Sequence, residues 1–260
     1  MMPQGPKDVV TQAVDEMFGK RDPDAVARLV TPGFRQHSAL LGDGPEALRA
    51  HVAALPETFS YTCARLLSDG DLVLMHGTYH GLGPRPLVAF DLFRVADGRI
   101  AEHWDALTPE AGATVSGRSQ TDGPTLVTRP GQRATSRQVG ETFLRTVLID
   151  REYDRIAEFV HADDFAQHNP GTGDGIAGLG AASAAMRAQG LVPRYDRVHR
   201  VVAEGEFVYT LSSGSLGGSP YAFHDLFRVD GSGAGGGFIV EHWDVLTPVP
   251  PRLPHDNGMF

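Results

Sequence analysis

Three side chains capable of acid–base chemistry cluster near the end of each half of this chain. In the run from Ala89 to Asp105, Asp91 precedes "EHWD", which supplies His103 and Asp105. In the run from Ala222 to Asp244, Asp225 precedes a second "EHWD", which supplies His242 and Asp244. Two carboxylates and an imidazole on one concave face can move a proton to and from carbon. A carboxylate in an apolar pocket holds its proton more tightly and becomes a better base near neutral pH. An Asp–His pair inside a sheet can equally be a satisfied buried hydrogen bond. Three more histidines are candidate ligand contacts: His37 in "QHSA", His168 in "QHNP", and His76 in "MHGTYH".

The elements that carry these residues read as hairpins. "PLVAFDLFRVADGRIAEHWDAL" has period-two alternation and turns at Asp97-Gly98. A three-residue loop with Gly98 in the left-handed region would set Asp91 opposite His103 and Ala89 opposite Asp105. A two-residue turn would set Asp91 opposite Trp104. The three-residue reading puts Asp91, His103 and Asp105 on one face, with Ile100, Glu102 and Trp104 on the other. By the same alternation His242 and Asp244 point away from Trp243, which shares its face with Ile239. Both tryptophans read as packing residues. "ARLLSDGDLVLMHGTYHG" is a further hairpin broken at "SDGD". Ahead of the strands, "PEALRAHVAAL" reads as a helix opened by Pro45. In the second half "SRQVGETFLRTVLID" reads as a helix with Ser136 as N-cap, and "REYDRIAEFV" continues it. "SDGDL" and "GSGAGGG" lack the strand–Gly-Lys–helix context of a phosphate loop. No His-x-His pair supports a metal, and no cofactor is expected.

The signals recur in order. "FRQHSALLGDG" answers "FAQHNPGTGDG", "RLLSDGDLVL" answers "RVVAEGEFVY", and "AFDLFRV" answers "AFHDLFRV". A repeat this long means two folded domains. The expected boundaries are 1–110 for the first, 111–135 for a Gly/Ser/Thr/Pro-rich linker, 136–250 for the second and 251–260 for a tail. The chain has 260 residues, 41% of them apolar, which suits two domains of this size. A net charge of −9 argues against a nucleic-acid partner. The single cysteine, Cys63, excludes an internal disulfide. The first twenty residues read as neither a signal peptide nor a membrane span, so a cytoplasmic protein is expected.

The run "DLFRVADGRIAEHWD", together with "FAQHNPGTGDG", resembles the SnoaL-like polyketide cyclases of the nuclear-transport-factor-2-like superfamily. The resemblance covers about 6–110 and 136–250. It implies an α+β fold, twice over: a cone of curved, mostly antiparallel sheet wrapped on helices around an apolar pocket. It also implies a cofactor-independent cyclase or isomerase, a lyase- or isomerase-type enzyme of polyketide biosynthesis. Such an enzyme takes a proton from a hydrophobic carbonyl compound and stabilises the enolate. By position in the motif, the general base maps to Asp105 and Asp244. The position that supports the enol maps to Asp91 and Asp225, where the cyclases carry His. Among the donors, His76, His103 and His242 are candidates for the enolate oxygen. The same resemblance places His37 and His168 at the pocket mouth. Epoxide hydrolysis or rearrangement on this scaffold, and ligand binding without catalysis, are the alternatives. An intramolecular pseudo-dimer through the outer sheet faces, with possible further homo-oligomerisation, is also expected.

Overall fold

The computed structural model describes residues 4–231 and 237–260. Most of the glycine-rich insertion, residues 232–236, lies outside them. The chain divides into two units. One is residues 1–110 with 249–260, and the other is residues 111–248. The stretch read as a linker therefore belongs to the second unit, and the stretch read as a tail belongs to the first.

In the first unit, α1 (Pro6–Val14) runs on through a wider π turn (Asp15–Gly19), and a short helix α2 (Val26–Leu29) leads into β1 (Val30–Gln36). Helix α3 (Gly44–Ala53) is followed by β2 (Ser60–Asp69), β3 (Leu72–His80), β4 (Leu87–Ala96) and β5 (Arg99–Pro109). The strands form one sheet in the order β1-β5-β4-β3-β2. β1 lies parallel to β5, and the other pairs are antiparallel.

The second unit repeats the plan. It has α4 (Arg133–Phe143) with a π turn after it, then β6 (Ala166–Gln167) and α5 (Gly175–Ala188). Its remaining strands are β7 (Pro193–Glu204), β8 (Phe207–Leu216), β9 (Ser219–Val229) and β10 (Ile239–Pro248). The sheet order is β6-β10-β9-β8-β7. Both units are thus the same α+β architecture. α4 begins three residues before Ser136, so Ser136 is buried inside the helix and is not its cap. "REYDRIAEFV" is a separate 3₁₀ turn, Tyr153–Glu158. Arg151, in the left-handed region at φ 64°, breaks the helix before it.

Each core lies between the helices and the inner face of its sheet. Val10, Met17, Val26, Phe34, Leu48 and Phe93 meet in the first, and Phe143, Val147, Val160, Phe165 and Phe227 in the second. No helix among the described residues is long and apolar enough to cross a membrane.

The β4–β5 hairpin corrects the expected register. Asp97 (φ 50°) and Gly98 (φ 68°) make a two-residue turn with both residues left-handed, the type whose twist matches a hairpin. Ala96 pairs with Arg99 and Val95 with Ile100, but Arg94 pairs with Glu102. Ala101 is a bulge, and beyond it Asp91 lies opposite Asp105, while Phe93 lies opposite His103. The bulge keeps Asp91, His103 and Asp105 on one face but moves Ile100 to the core side, away from Trp104. β10 has the same device at Val240, which sets Asp225 opposite Asp244.

Candidate functional site

The inner face of each sheet carries one Asp–His–Asp cluster in a cavity wall. In the first unit, His103 Nε2 is 3.1 Å from Asp91 Oδ1, and its Nδ1 is 3.1 Å from Gln36 Oε1. In the second, His242 Nε2 is 3.0 Å from Asp225 Oδ1, and its Nδ1 is 3.1 Å from Gln167 Oε1.

The glutamine is held in one orientation by the backbone. Gln36 Oε1 accepts the N–H groups of His37 and Ser38, and Gln167 Oε1 accepts that of Asn169. With its oxygen so fixed, each glutamine can only accept from the imidazole. The carboxylate on the other side also accepts. The geometry therefore suits a ring in which both nitrogens donate, which is the imidazolium form. Burial works against that charge, but the Asp91 hydrogen bond and the charges of Asp105 and Asp91 raise His103 above the ordinary imidazole range. The same balance raises His242, through Asp225 and Asp244.

The outer aspartate behaves differently. Burial, helped by the nearby Asp91 charge, raises Asp105 to about 6, against opposition from His103 and Ser38. Burial and Asp225 likewise raise Asp244, while His242 and Asn169 pull it down. Asn169 Nδ2 donates to both Asp244 oxygens, at 2.9 and 2.8 Å. At about 6, Asp105 is ionised near neutral pH yet close to taking a proton, which is what a general base needs, and Asp244 is shifted in the same direction. Tyr195 donates its hydroxyl to Asp225 at 3.1 and 3.2 Å. In the first unit Tyr79 faces Asp91, whose charge together with burial keeps the phenol protonated.

Local sequence explains how the glutamine reaches the site. Asp43 Oδ1 accepts the backbone N–H of Gln36 at 2.8 Å, and Asp174 Oδ1 that of Gln167 at 2.9 Å. The following Gly44 (φ 80°) and Gly175 (φ 71°) turn the chain into the next helix through a left-handed residue. The repeated "GDG" is therefore an anchor for the "QH" segment. Alternation then sends Gln36 inward and His37 outward.

The three histidines expected at the ligand lie on the other face of the sheet. His37 stacks on Trp104 with ring centroids 4.6 Å apart, and it bonds Gly258 O and Glu102 Oε2 at 2.9 and 3.2 Å. Arg94 holds that glutamate ionised despite burial. His168 stacks on Trp243 at 4.6 Å and bonds Ser119 O and Glu241 Oε1 at 2.7 and 2.9 Å. His76 is fully buried beside Arg65 and stacks on Phe90. Sequence reading missed Gln36, Gln167, Asn169 and Tyr195. The doubled "QH" was the signal for the two glutamines, since one residue of an extended pair must face inward.

In each unit the cluster offers one ligand atom per residue within 4.8 Å of one another. A cation there would have to displace the protons that the imidazole shares with its Asp and Gln neighbours.

The cavity around Asp244 has a volume of about 380 Å³, with Phe143, Leu148, Phe165, Leu179, Phe223 and Leu246 in its wall. That is the size of a small-molecule site. The cavity around Asp105 is about 110 Å³.

Residues 10–103 match the SnoaL-like domain. Among solved structures, TsrD from Streptomyces laurentii is 23% identical, covering 38% of this chain and 88% of its own, with a TM-score of 0.34. An NTF2-like protein of unknown function from Cytophaga hutchinsonii is 16% identical over 42% of this chain and 96% of its own, with a TM-score of 0.37. A steroid delta-isomerase from Pseudomonas aeruginosa is 20% identical over 42% of this chain and 84% of its own, with a TM-score of 0.35. No curated protein matches the chain.

Proposed function

We propose, for a chain whose residues 10–103 are a SnoaL-like domain and whose second unit repeats that fold, a cofactor-independent acid–base enzyme. Its substrate is a hydrophobic carbonyl compound of polyketide-like character. The observation that carries this reading is the pairing of an apolar cavity with a carboxylate raised toward neutrality, in contact with a fixed cation.

The outer aspartate takes a proton from the carbon beside the carbonyl. The electron pair left on carbon moves into the carbonyl, giving an enolate. The imidazolium stabilises the negative charge that develops next to it, in a cavity with little water to screen it. It does not itself give up a proton, because both of its N–H groups are bonded to Asp and Gln. The inner aspartate, tied to the tyrosine hydroxyl, keeps the imidazole aimed and raises its proton affinity. The protonated outer aspartate can then return its proton to another carbon, completing an isomerisation. It can also leave the enolate to attack a second carbonyl, closing a ring.

The test is exchange of the α-hydrogen of β-tetralone with deuterium from solvent, followed by NMR. The chain should accelerate exchange over buffer, and the double variant Asp105→Asn, Asp244→Asn should lose about 10²–10⁴-fold of that rate while still binding the ketone. Binding of β-tetralone with no accelerated exchange in the unaltered chain would leave a binding protein and overturn the acid–base reading.

A further inference from the structure

The two units keep the same polar cluster but cavities that differ more than threefold in volume, about 110 against about 380 Å³. Strand register and the shared "QH…GDG" spacing match positions between them. Some inner positions trade bulk evenly. Phe18 stands where the second unit has Leu148, but Ala13 stands where it has Phe143. Tyr79 stands where it has Gly214, but Ala89 stands where it has Phe223; the Phe223 ring comes within 3.0 Å of where a Gly214 Cβ would lie. These exchanges move aromatic rings between elements without emptying the interior.

The rim is not balanced in this way. Leu40 and Leu41 stand where the second unit has Gly171 and Thr172. His51 stands on α3 where α5 has Ala182, and Phe59 precedes β2 where Pro193 opens β7. The turn between β3 and β4, residues 81–86, lays Leu82 against the first cavity. Two glycines, Gly217 and Gly218, make the whole β8–β9 turn. These rim differences add bulk in the first unit; the opposite exchange is Ser38, where the second unit has the larger Asn169. An engineered apolar cavity of about 150 Å³ holds one benzene molecule. A cavity of about 110 Å³ is below that size, and one of about 380 Å³ takes a bicyclic or tricyclic compound.

We infer that the second unit alone binds a ring-sized substrate, and that Leu40, Leu41, His51, Phe59 and Leu82 are the specificity-determining residues that close the first unit's cluster to it. The inference rests on the proposed acid–base function for the substrate's chemistry, but it concerns occupancy, so binding tests it apart from turnover. Apart from the buried Phe59, which the test leaves unaltered, these rim residues sit where large-to-small changes cost little stability. Leu40 is 73% exposed, Leu82 is 38% exposed, and Leu41 and His51 are half-buried.

The experiment counts β-naphthol sites on the full chain by titration calorimetry. The unaltered chain should bind one molecule. The triple variant Leu41→Thr, His51→Ala, Leu82→Gly, which carries the second unit's smaller side chains, should bind two. The reverse change in the second unit, Thr172→Leu with Ala182→His, should lower the count to zero. Leu82→Gly alone, on an exposed turn, is the variant least able to disturb folding, and it should already show weak binding at a second site. Two sites in the unaltered chain, one site surviving the reverse change, or no second site in a triple variant that melts as the parent does would each overturn the inference. Binding only in the second unit without tetralone exchange would overturn the proposed function and leave this inference standing. Binding and exchange at the first unit would do the opposite.

Discussion

Replacing Asp105 with Asn should stabilise the protein, and by more the higher the pH. The carboxyl is raised from an ordinary value of 3.8 to about 6 in the folded chain. Between those two values the folded state holds a proton that the unfolded state has lost, so stability falls as pH rises through this window. Above about pH 6 the full penalty is present; below about pH 4 both states are protonated and it vanishes. A difference of roughly two pH units corresponds to about 3 kcal/mol at most. Part of that is returned by His103, whose proton is supported by the Asp105 charge, so a net gain of about 1–3 kcal/mol is expected near pH 8. Asn keeps the shape and has no charge to bury. At about 2–4 °C per kcal/mol, the melting temperature should rise by a few degrees near pH 8 and hardly at all near pH 4. Calorimetric melting of both proteins across this range is the assay. An Asn variant that melts below the parent near pH 8 would refute the reasoning. It would make Asp105 an ordinary structural partner whose loss costs a hydrogen bond.

In the second unit, replacing Asn169 with Ala removes the donor to both Asp244 oxygens, so the carboxyl should rise further and the acidic limb of the exchange rate should move to higher pH. An unmoved limb would show that Asn169 does not tune the base. The ring nitrogens of His242 should keep the imidazolium signature in ¹⁵N NMR above the ordinary imidazole range, and Asp225→Asn should abolish it; a neutral ring in the unaltered chain would contradict the doubly donating geometry. Deleting residues 249–260 removes the bonds of His37 to Gly258 O, of His255 to Ser38 O and of Asn257 to Gln36 O, and with them the buried Met259 side chain. At about 0.5–1.5 kcal/mol for each bond and about 1.5–3 kcal/mol for the methionine, the first unit should lose roughly 3–7 kcal/mol. A deletion that leaves the denaturant midpoint in place would show those contacts to be idle.

Much of this protein was legible in one dimension. The ordered recurrence of four motifs determined that two units share one fold. Period-two alternation in "EHWD" determined that His103 shares a face with Asp105 and His242 with Asp244, because side chains along a strand must alternate; the bulge at Ala101 is what brings Asp91 to that face. Three features needed the tertiary structure. The bulges at Ala101 and Val240 add one residue to a strand without marking the sequence pattern, and an extra residue flips everything before it. Ile100 and Ile239 therefore face the core, and the aspartates pair directly. By residue type the histidines of the "QH" segments look like ligand contacts, but backbone alternation turns them outward onto tryptophans and leaves the plain glutamines to hold the imidazole of each cluster. Cavity volume was the third, because it is a sum over side chains from many elements. Matched exchanges such as Tyr79 for Gly214 and Ala89 for Phe223 cancel only in three dimensions, so no single position in the sequence shows which cluster is open.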